Sequence, residues 1–562
     1  MNFNLLIGGA AGQGMETLSF TLSKLLQRRG YHLFTLQDYM SRVRGGHNFF
    51  QLRFSEDIVK THRDDLDGII ALNQETVDLH IGRLNPDGFI IADEDVKSDD
   101  PRVITVSAKR IAKELGNPKV QSSVILGALL KLLGMDVLHL DDILSDKFDE
   151  KVVQQNVEAF DKGHELVEAR FVEPEITKVP TMMVQANESI ALGALAAGLK
   201  FYSAYPMTPS TSIMSYLVRK QKATKMIVEQ AEDEIASINM AIGASYAGVR
   251  SMTGTSGGGY SLMVEAVGMA GIMETPLVIA EIQRPGPATG LPTRTEQSDL
   301  NFVIHSSHGE FPKMVIALRH PEDAFYQTAR AFNLADKYQI PIILLGDQYM
   351  ADAVRTVTPF DVDKVTIERH LADEEIYRNG KEYKRYELTE NGISPRLIPG
   401  NVAGTMVNSD SDEHDEMGNI TEASDVRINM VEKRAKKLEL LKEELLEPEF
   451  MGEEDLDVLI VGWGSLHSPL SEAIDLLNES GDTKFGTLVF GDIWPLPEKR
   501  LRDLSGKAKV LINVEQNYTG QLAALISQVT GIRTDHSVLK YDGRPLSAVE
   551  ITNKVLEVLK ND

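Results

Sequence analysis

The sequence predicts a multi-domain α/β protein built on parallel, helix-covered sheets. Three observations carry that expectation. The chain has 562 residues, too many for one hydrophobic core, and about 100–200 residues per domain implies three or four units. Short apolar runs alternate with helical periods in three separate stretches, as strands joined by crossover helices do. The middle stretch is rich in Ala, Gly and Met, unlike its neighbours.

Residues 1–175 make the first unit. "NLLIGG" runs into a helix from about Met15 to Arg29, and "YHLFTL", "GIIALN", "GFIIAD" and "VITVSA" follow as strand segments. "EARFVEPEITKVPTMMVQANES" reads as a linker. Residues 181–350 make the second unit, with strands "FYSAYP", "MIVEQ", "SMTGTS", "PLVIAEIQ", "KMVIAL" and "PIILLGD", and helices such as "EIASINMAIGASYAG". Residues 351–450 lack this regularity. There "VNSDSDEHDEMGNITEASD" is expected to be an exposed acidic loop, and "VRINMVEKRAKKLELLKEELLEPEF" a solvated charged helix. Residues 451–562 return to alternation in "DVLIVGWGS", "FGTLVFGDIWPLP" and "KVLINVEQN", with helices "PLSEAIDLL" and "GQLAALISQV" between and after them. Trp463 and Trp494 read as packing anchors of this last unit.

Composition excludes several function classes. With 58 basic and 83 acidic residues the net charge is −25, which repels phosphate backbones and anionic membranes, so neither nucleic acid nor membrane is an expected partner. No window offers the run of about 18 apolar residues that a membrane helix needs. The N-terminal apolar run meets glycines at once and lacks the basic start of a signal peptide, so the expected location is cytoplasmic. The chain has no cysteine, which removes disulfides, thiolate zinc sites, a cysteine nucleophile and an ordinary iron–sulfur cluster on this chain.

The first glycine loop places Gly9, Gly12 and Gly14 in the order G-x-x-G-x-G, whereas a dinucleotide fingerprint needs G-x-G-x-x-G. A plain tight turn and an anion-binding helix start both fit it, since freed backbone amides at a helix N-terminus favour phosphate or carboxylate. A nicotinamide-dependent dehydrogenase is the alternative from another enzyme class, weakened by the glycine order. In "YMSRVRGGHNFFQLRF", Arg42 and Arg44 flank a flexible turn suited to anion capture. His47, His305, His308 and His414 lack metal-ligand spacing, so no metal site is expected on this chain.

The second unit holds the motifs that belong together: "YPMTPST" with Tyr205, Pro206 and Thr208; "EQAEDEIASINMAIG" with Glu229, Glu232 and Glu234; "MTGTSGGGY" with Ser256 and Gly257; and "AEIQRPGPATGLPTRTEQSDL" with Arg284, Thr293 and Arg294. With "GISPRLIPG", "EHDEMGN", "GWGS", "IWPLP" and "VEQNYTGQLA" further on, the chain resembles the 2-oxoacid:ferredoxin oxidoreductases. More narrowly, it resembles their alpha subunit with the gamma domain fused at the N-terminus. The resemblance covers nearly the whole length.

That resemblance implies a gamma domain, a pyrimidine-binding domain for thiamine diphosphate and a transketolase-C-like domain. It implies oxidative decarboxylation of a 2-oxoacid with coenzyme A to acyl-CoA and CO2, with electrons passing to ferredoxin. Glu234, nine residues ahead of Gly243 in the family's spacing, is implied as the acid that activates the cofactor, with Glu232 its rival. Thr208 and Arg284 are implied as the substrate carboxylate clamp, Thr293 as a tuner of side-chain preference, and Arg44 as the reader of a distal carboxylate such as that of 2-oxoglutarate. Pyruvate and branched-chain acids are the alternative substrates. Tyr205, Pro206, Ser256 and Gly257 are implied at the cofactor, and Gly9, Gly12, Gln13 and Gly14 at coenzyme A. The chain lacks the G-D-G…N signature for a metal-held diphosphate. Mg²⁺ and a 4Fe–4S cluster are therefore expected on a beta subunit in a heterodimer or heterotetramer, and a non-catalytic scaffold is disfavoured because the clamp and the acid are retained together.

Overall fold

A computed structural model describes residues 1–10, 12–39, 46–136, 140–145, 148–479 and 481–560. Its contacts divide into two compact units. One comprises Met1–Val184 with Asp352–Pro359, the other Gln185–Ala351 with Phe360–Asp562.

The first unit carries a mixed eight-stranded sheet. In sheet order its strands are Val103–Val106, Leu84–Asp93, Leu66–Ala71, Asn2–Gly9, Asn48–Ser55, His32–Asp38, Val354–Val357 and Met182–Gln185. The first four run parallel, as alternation predicts. Asn48–Ser55 then pairs antiparallel with both Asn2–Gly9 and His32–Asp38, an antiparallel wing that the sequence reading did not contain. The segment read as linker contributes an edge strand. The irregular region sends back Val354–Val357, where Thr356 Oγ1 accepts from the Leu33 backbone N–H at 2.9 Å.

The second unit holds two sheets. The larger has the order Asp492–Trp494, Met314–Ala317, Pro341–Asp347, Leu277–Gln283, Ser251–Thr255, Phe201–Ala204, Ile227–Gln230, and only its first pair is antiparallel. The central strands are buried along their whole length, as the continuous apolar runs of a helix-covered parallel sheet require. The smaller sheet has the order Glu449–Gly452, Phe485–Phe490, Val458–Trp463, Val510–Glu515, His536–Leu539. "FGTLVFGDIW" is thus two strands, and its second half, Asp492–Trp494, joins the larger sheet. Arg330 locks that junction, donating to both oxygens of Asp492 at 2.7 and 2.8 Å. Trp463 is buried and donates from Nε1 to Glu515 Oε2 at 3.0 Å. Among the described residues no helix is long and apolar enough to cross a membrane.

The charged helix, Ser424–Leu441, corrects its expected exposure. Lys433 and Lys437 are buried, and both ammonium groups contact the buried carboxylate of Glu274. Burial alone would raise the Glu274 pKa, but Lys433, Lys437 and Arg385 outweigh it and hold the carboxyl well below its ordinary range. Burial in turn pulls Lys437 down to about 7. The acidic loop is anchored as well. Glu413 accepts from both Nη atoms of Arg434 at 3.1 and 2.8 Å, and His414 is fully buried against Tyr386.

Breaking a buried ion pair from one side costs about 3–5 kcal/mol, because the remaining charge is left without compensation. Glu274→Gln should therefore lower the unfolding free energy of the second unit, read from a denaturant titration, by that order. Combining it with Lys433→Met and Lys437→Met should recover most of the loss.

Candidate active site

In open parallel sheets, ligands collect outside the carboxyl ends of the strands. In the second unit, Phe201–Ala204 ends at Tyr205, Pro206 and Thr208; Ile227–Gln230 precedes the helix that Glu234 opens; Ser251–Thr255 ends at Ser256 and Gly257; and Leu277–Gln283 ends at Arg284. The four strands are neighbours in the sheet.

Three acids of "EQAEDE" competed for one role, and burial separates them. Glu229 and Glu232 are exposed, whereas Glu234 is 4% exposed with Oε1 buried and unpartnered. Asp233 serves as the N-cap, its Oδ1 accepting from the Ala236 N–H at 2.7 Å, which aims the next residue inward. The carboxylate lies on the glycine turn of the neighbouring helix, Gly257–Ile272. A Cβ at Gly259 would stand 2.7 Å from Cγ and Oε1 of Glu234 and overlap Oγ1 of Thr255. Ser256, the N-cap of that helix, is fully buried with an unpartnered Oγ. Two orphaned buried oxygens beside a glycine cradle mark a place built for a polar ligand.

Arg284 is part-buried, which pulls its pKa below the ordinary guanidinium value, and its Nη1 donates to the Thr208 carbonyl at 2.6 Å. The guanidinium and the threonine loop are thereby joined across the sheet end. Thr293 is buried, and its carbonyl accepts from Nη1 of Arg294 at 3.1 Å. Tyr205 is exposed.

The first unit contains a cleft of about 1530 Å³. Gly12, Gln13 and Gly14 line it at the start of the helix Met15–Arg29, and both glycines have positive φ, +88° and +85°. The side chain of Gln13 laces the loop, accepting from Ala10 N–H at 2.7 Å and donating to the Leu72 carbonyl at 3.3 Å. Gly9 lies below the loop, where a Cβ would meet Gln13 and Leu72. Lys109, Lys113 and Lys119 also line the cleft, together with the acids Glu16, Asp38 and Asp352, and Lys109 pairs with Asp95. Arg44 lies outside the described residues. His47 is buried with Nε2 at 2.9 Å from His80 Nε2. Burial lowers the pKa of both rings, that of His80 to about 4, with Arg83 and His47 adding to the effect.

Three family models match the chain: pyruvate ferredoxin/flavodoxin oxidoreductase over residues 4–166, the thiamine diphosphate-binding domain of pyruvate flavodoxin/ferredoxin oxidoreductase over 192–433, and core domain II of pyruvate:ferredoxin oxidoreductase over 456–550. The chain is 33% identical to the 2-oxoacid:ferredoxin oxidoreductase subunit alpha of a Sulfolobus species, with 100% of this chain and 98% of that one covered. This chain belongs to the alpha subunits of the 2-oxoacid:ferredoxin oxidoreductases. The 2-oxoglutarate synthase subunit KorA of Methanothermobacter thermautotrophicus is 30% identical, covering 67% of this chain and 98% of its own. The 2-oxoglutarate:ferredoxin oxidoreductase from Magnetococcus marinus, solved with 2-oxoglutarate, coenzyme A and succinyl-CoA bound, superposes with a TM-score of 0.92 at 32% identity over 99% of both chains.

Membership of this oxidoreductase family removes the nicotinamide dehydrogenase as a reading of the glycine loop. Several site features carry no motif. Lys109, Lys113 and Lys119 look like ordinary charges of short amphipathic segments. The histidines of the junction, His320 and His467, come within 4.8 Å of Glu449 although they are far apart in sequence. Arg319 already occupies the second oxygen of Glu449 at 2.9 Å. The His467 contact, with Arg319 and His320, holds this carboxylate at about 2, so the group is a charged staple between sheets.

Gly259→Ala forces a Cβ into the carboxylate it now cradles. The assembled enzyme should lose turnover by about 10²-fold or more, the scale of a misplaced catalytic group, while the circular dichroism of the chain stays native.

Proposed function

We propose that this alpha subunit oxidatively decarboxylates 2-oxoglutarate with coenzyme A, sharing thiamine diphosphate with a beta subunit that carries Mg²⁺ and a 4Fe–4S cluster and passes electrons to ferredoxin. The observation that carries the reading is the buried, unpartnered Oε1 of Glu234 beside the Ser256–Gly257 turn, in a chain of this family. The cofactor, when bound, supplies the electron sink for loss of the carboxyl group. Glu234 would hold a proton at Oε1 against a ring nitrogen of the cofactor, in a pocket dry enough to make that bond strong. Ser256 Oγ, the Gly257 backbone, Tyr205 and Pro206 complete the cofactor's surroundings.

Arg284 and Thr208 would clamp the substrate carboxylate. A guanidinium presents a donor fork matched to a carboxylate, and this one is already tethered to the threonine loop. Thr293 would limit the substrate side chain, and Arg44 would meet a second carboxylate, which is what favours 2-oxoglutarate over pyruvate or branched acids. The relatives named for 2-oxoglutarate support that choice. In the first unit, the helix start at Gly12–Gly14 and the lysines Lys113 and Lys119 of the same cleft suit the phosphates of coenzyme A.

Two features support the shared site. The chain has no cysteine to hold a cluster. The helices Glu234–Tyr246 and Gly257–Ile272 are apolar around most of their circumference yet expose Ile235, Met240 and Leu262, the sign of a surface that a partner covers.

The test is viologen reduction by the co-expressed subunits with 2-oxoglutarate, pyruvate and 2-oxoisovalerate. Turnover should be fastest with 2-oxoglutarate and absent from the isolated chain; fastest turnover with another acid overturns the substrate assignment. Glu234→Gln should lower kcat by about 10²–10⁴, the range for a lost acid–base group. Arg284→Ala should reduce kcat/KM for every 2-oxoacid by roughly 10–150-fold, as loss of a charged hydrogen bond worth about 1.5–3 kcal/mol predicts. Lys113→Ala with Lys119→Ala should raise KM for coenzyme A and leave that for the 2-oxoacid unchanged.

A further inference from the structure

A second acid lies under the same turn, and the mechanism above leaves it without a role. Glu281 sits in the strand Leu277–Gln283, between Thr255 and Leu345 on the neighbouring parallel strands. Its side chain is fully buried, and neither oxygen receives a hydrogen bond. Asp299 reaches it from the loop ahead of the helix Leu300–His305. Its backbone N–H donates to Gln283 Oε1 at 3.0 Å, and its Oδ2 is also buried and unpartnered.

Every group acting on this pair is acidic or neutral. Asp347, from the adjacent strand, adds negative charge and is bonded by Ser465 Oγ and by the Met350 N–H at 3.0 Å. Tyr260, from the helix Gly257–Ile272, spends its hydroxyl on Ser306 at 2.8 Å. Glu296 is a further acid that Asp299 acts on. Two adjacent ionised carboxylates with no cation and no donor cannot persist out of water. One proton resolves both deficits at once, since a protonated carboxyl is a donor and its ionised neighbour an acceptor. Burial, together with Asp299 and Asp347, accordingly raises Glu281 well above the carboxyl range, and burial raises Asp299 to about 6.

The pair also touches the cofactor turn. A Cβ at Gly257 would overlap Oδ2 of Asp299, so the aspartate packs directly against the first residue of the helix whose Gly259 cradles Glu234. We propose that Glu281 and Asp299 share one proton in a carboxyl–carboxylate hydrogen bond, and that the pair is a positioning element holding the Ser256–Gly257 turn in register with Glu234. The positioning role rests on the reading of Glu234 given above; the shared proton does not. Loss of the proton would set two anions against each other beneath the turn and displace it.

Infrared spectroscopy of the assembled enzyme tests the proton. Wild type should show a protonated-carboxyl stretch at neutral pH that Glu281→Gln lacks, and the band should vanish on alkaline titration together with turnover. Glu281→Gln keeps a donor but has no proton to lose, so the alkaline fall in kcat should disappear in that variant. Absence of the band in wild type overturns the shared proton, and that reading needs no variant to fold. An alkaline limb unchanged in folded Glu281→Gln overturns the positioning role. Full activity in Glu234→Gln, with band and limb as expected, would sink the cofactor assignment and leave the proton pair standing.

Discussion

A carboxylate taken out of water must find a counter-charge, a proton or a ligand, and the second unit is arranged around that requirement. Glu274 takes the first route, with two lysines of one helix closing on it. Glu281 takes the second, beside another acid and with no cation among the described groups that act on it. Glu234 has neither. Its Oε1 is buried and unpartnered at the head of a helix, against Gly259 of the neighbouring helix. Of three solutions to one electrostatic problem, only the last leaves an interaction for something other than protein to make.

The scaffold explains why that carboxylate sits where it does. Four adjacent parallel strands deliver their carboxyl ends to one edge, so residues distant in sequence meet there without any long loop. Thr208 and Arg284 are 76 residues apart, yet one hydrogen bond joins them. The junction with the smaller sheet stiffens the same unit from the far side, through a donated strand and the Arg330–Asp492 pair. A site meant to hold reacting groups within fractions of an ångström gains from standing on strand ends rather than on free loops.

What the sequence made legible follows from the range of each signal. Parallel strands in a helix-covered sheet announce themselves as short apolar runs, so six strands of the larger sheet were readable, whereas the seventh, Asp492–Trp494, was hidden in a segment of the last unit. Motif order and the Glu234–Gly243 spacing favour Glu234 with Glu232 as its rival, and of the three acids Glu234 is the buried one. Asn48–Ser55 was missed because "NFFQLRFS" has no clean alternation and follows an arginine–glycine stretch that reads as loop. Val354–Val357 was missed because four residues in an irregular region give no sign of a sheet partner more than 300 residues earlier. The helix Ser424–Leu441 was misread for the same reason. Local charge patterning says "solvated", and the counter-ion of Lys433 lies 159 residues away.

Charge shows the same tension between sum and locality. A net charge of −25 opposes every anion at long range, yet the cleft of the first unit has three lysines and a helix start with two positive-φ glycines in its lining, beside Glu16, Asp38 and Asp352. At physiological ionic strength such opposition fades beyond about 8 Å, so an anion that reaches the cleft meets mainly its local donors. A polyanion differs, since most of its phosphates stay outside the cleft and over acidic surface. Overall charge therefore acts as a filter on size: a compact ligand with a few phosphates meets the local donors of the cleft while little of it lies over acidic surface, and a nucleic acid does not.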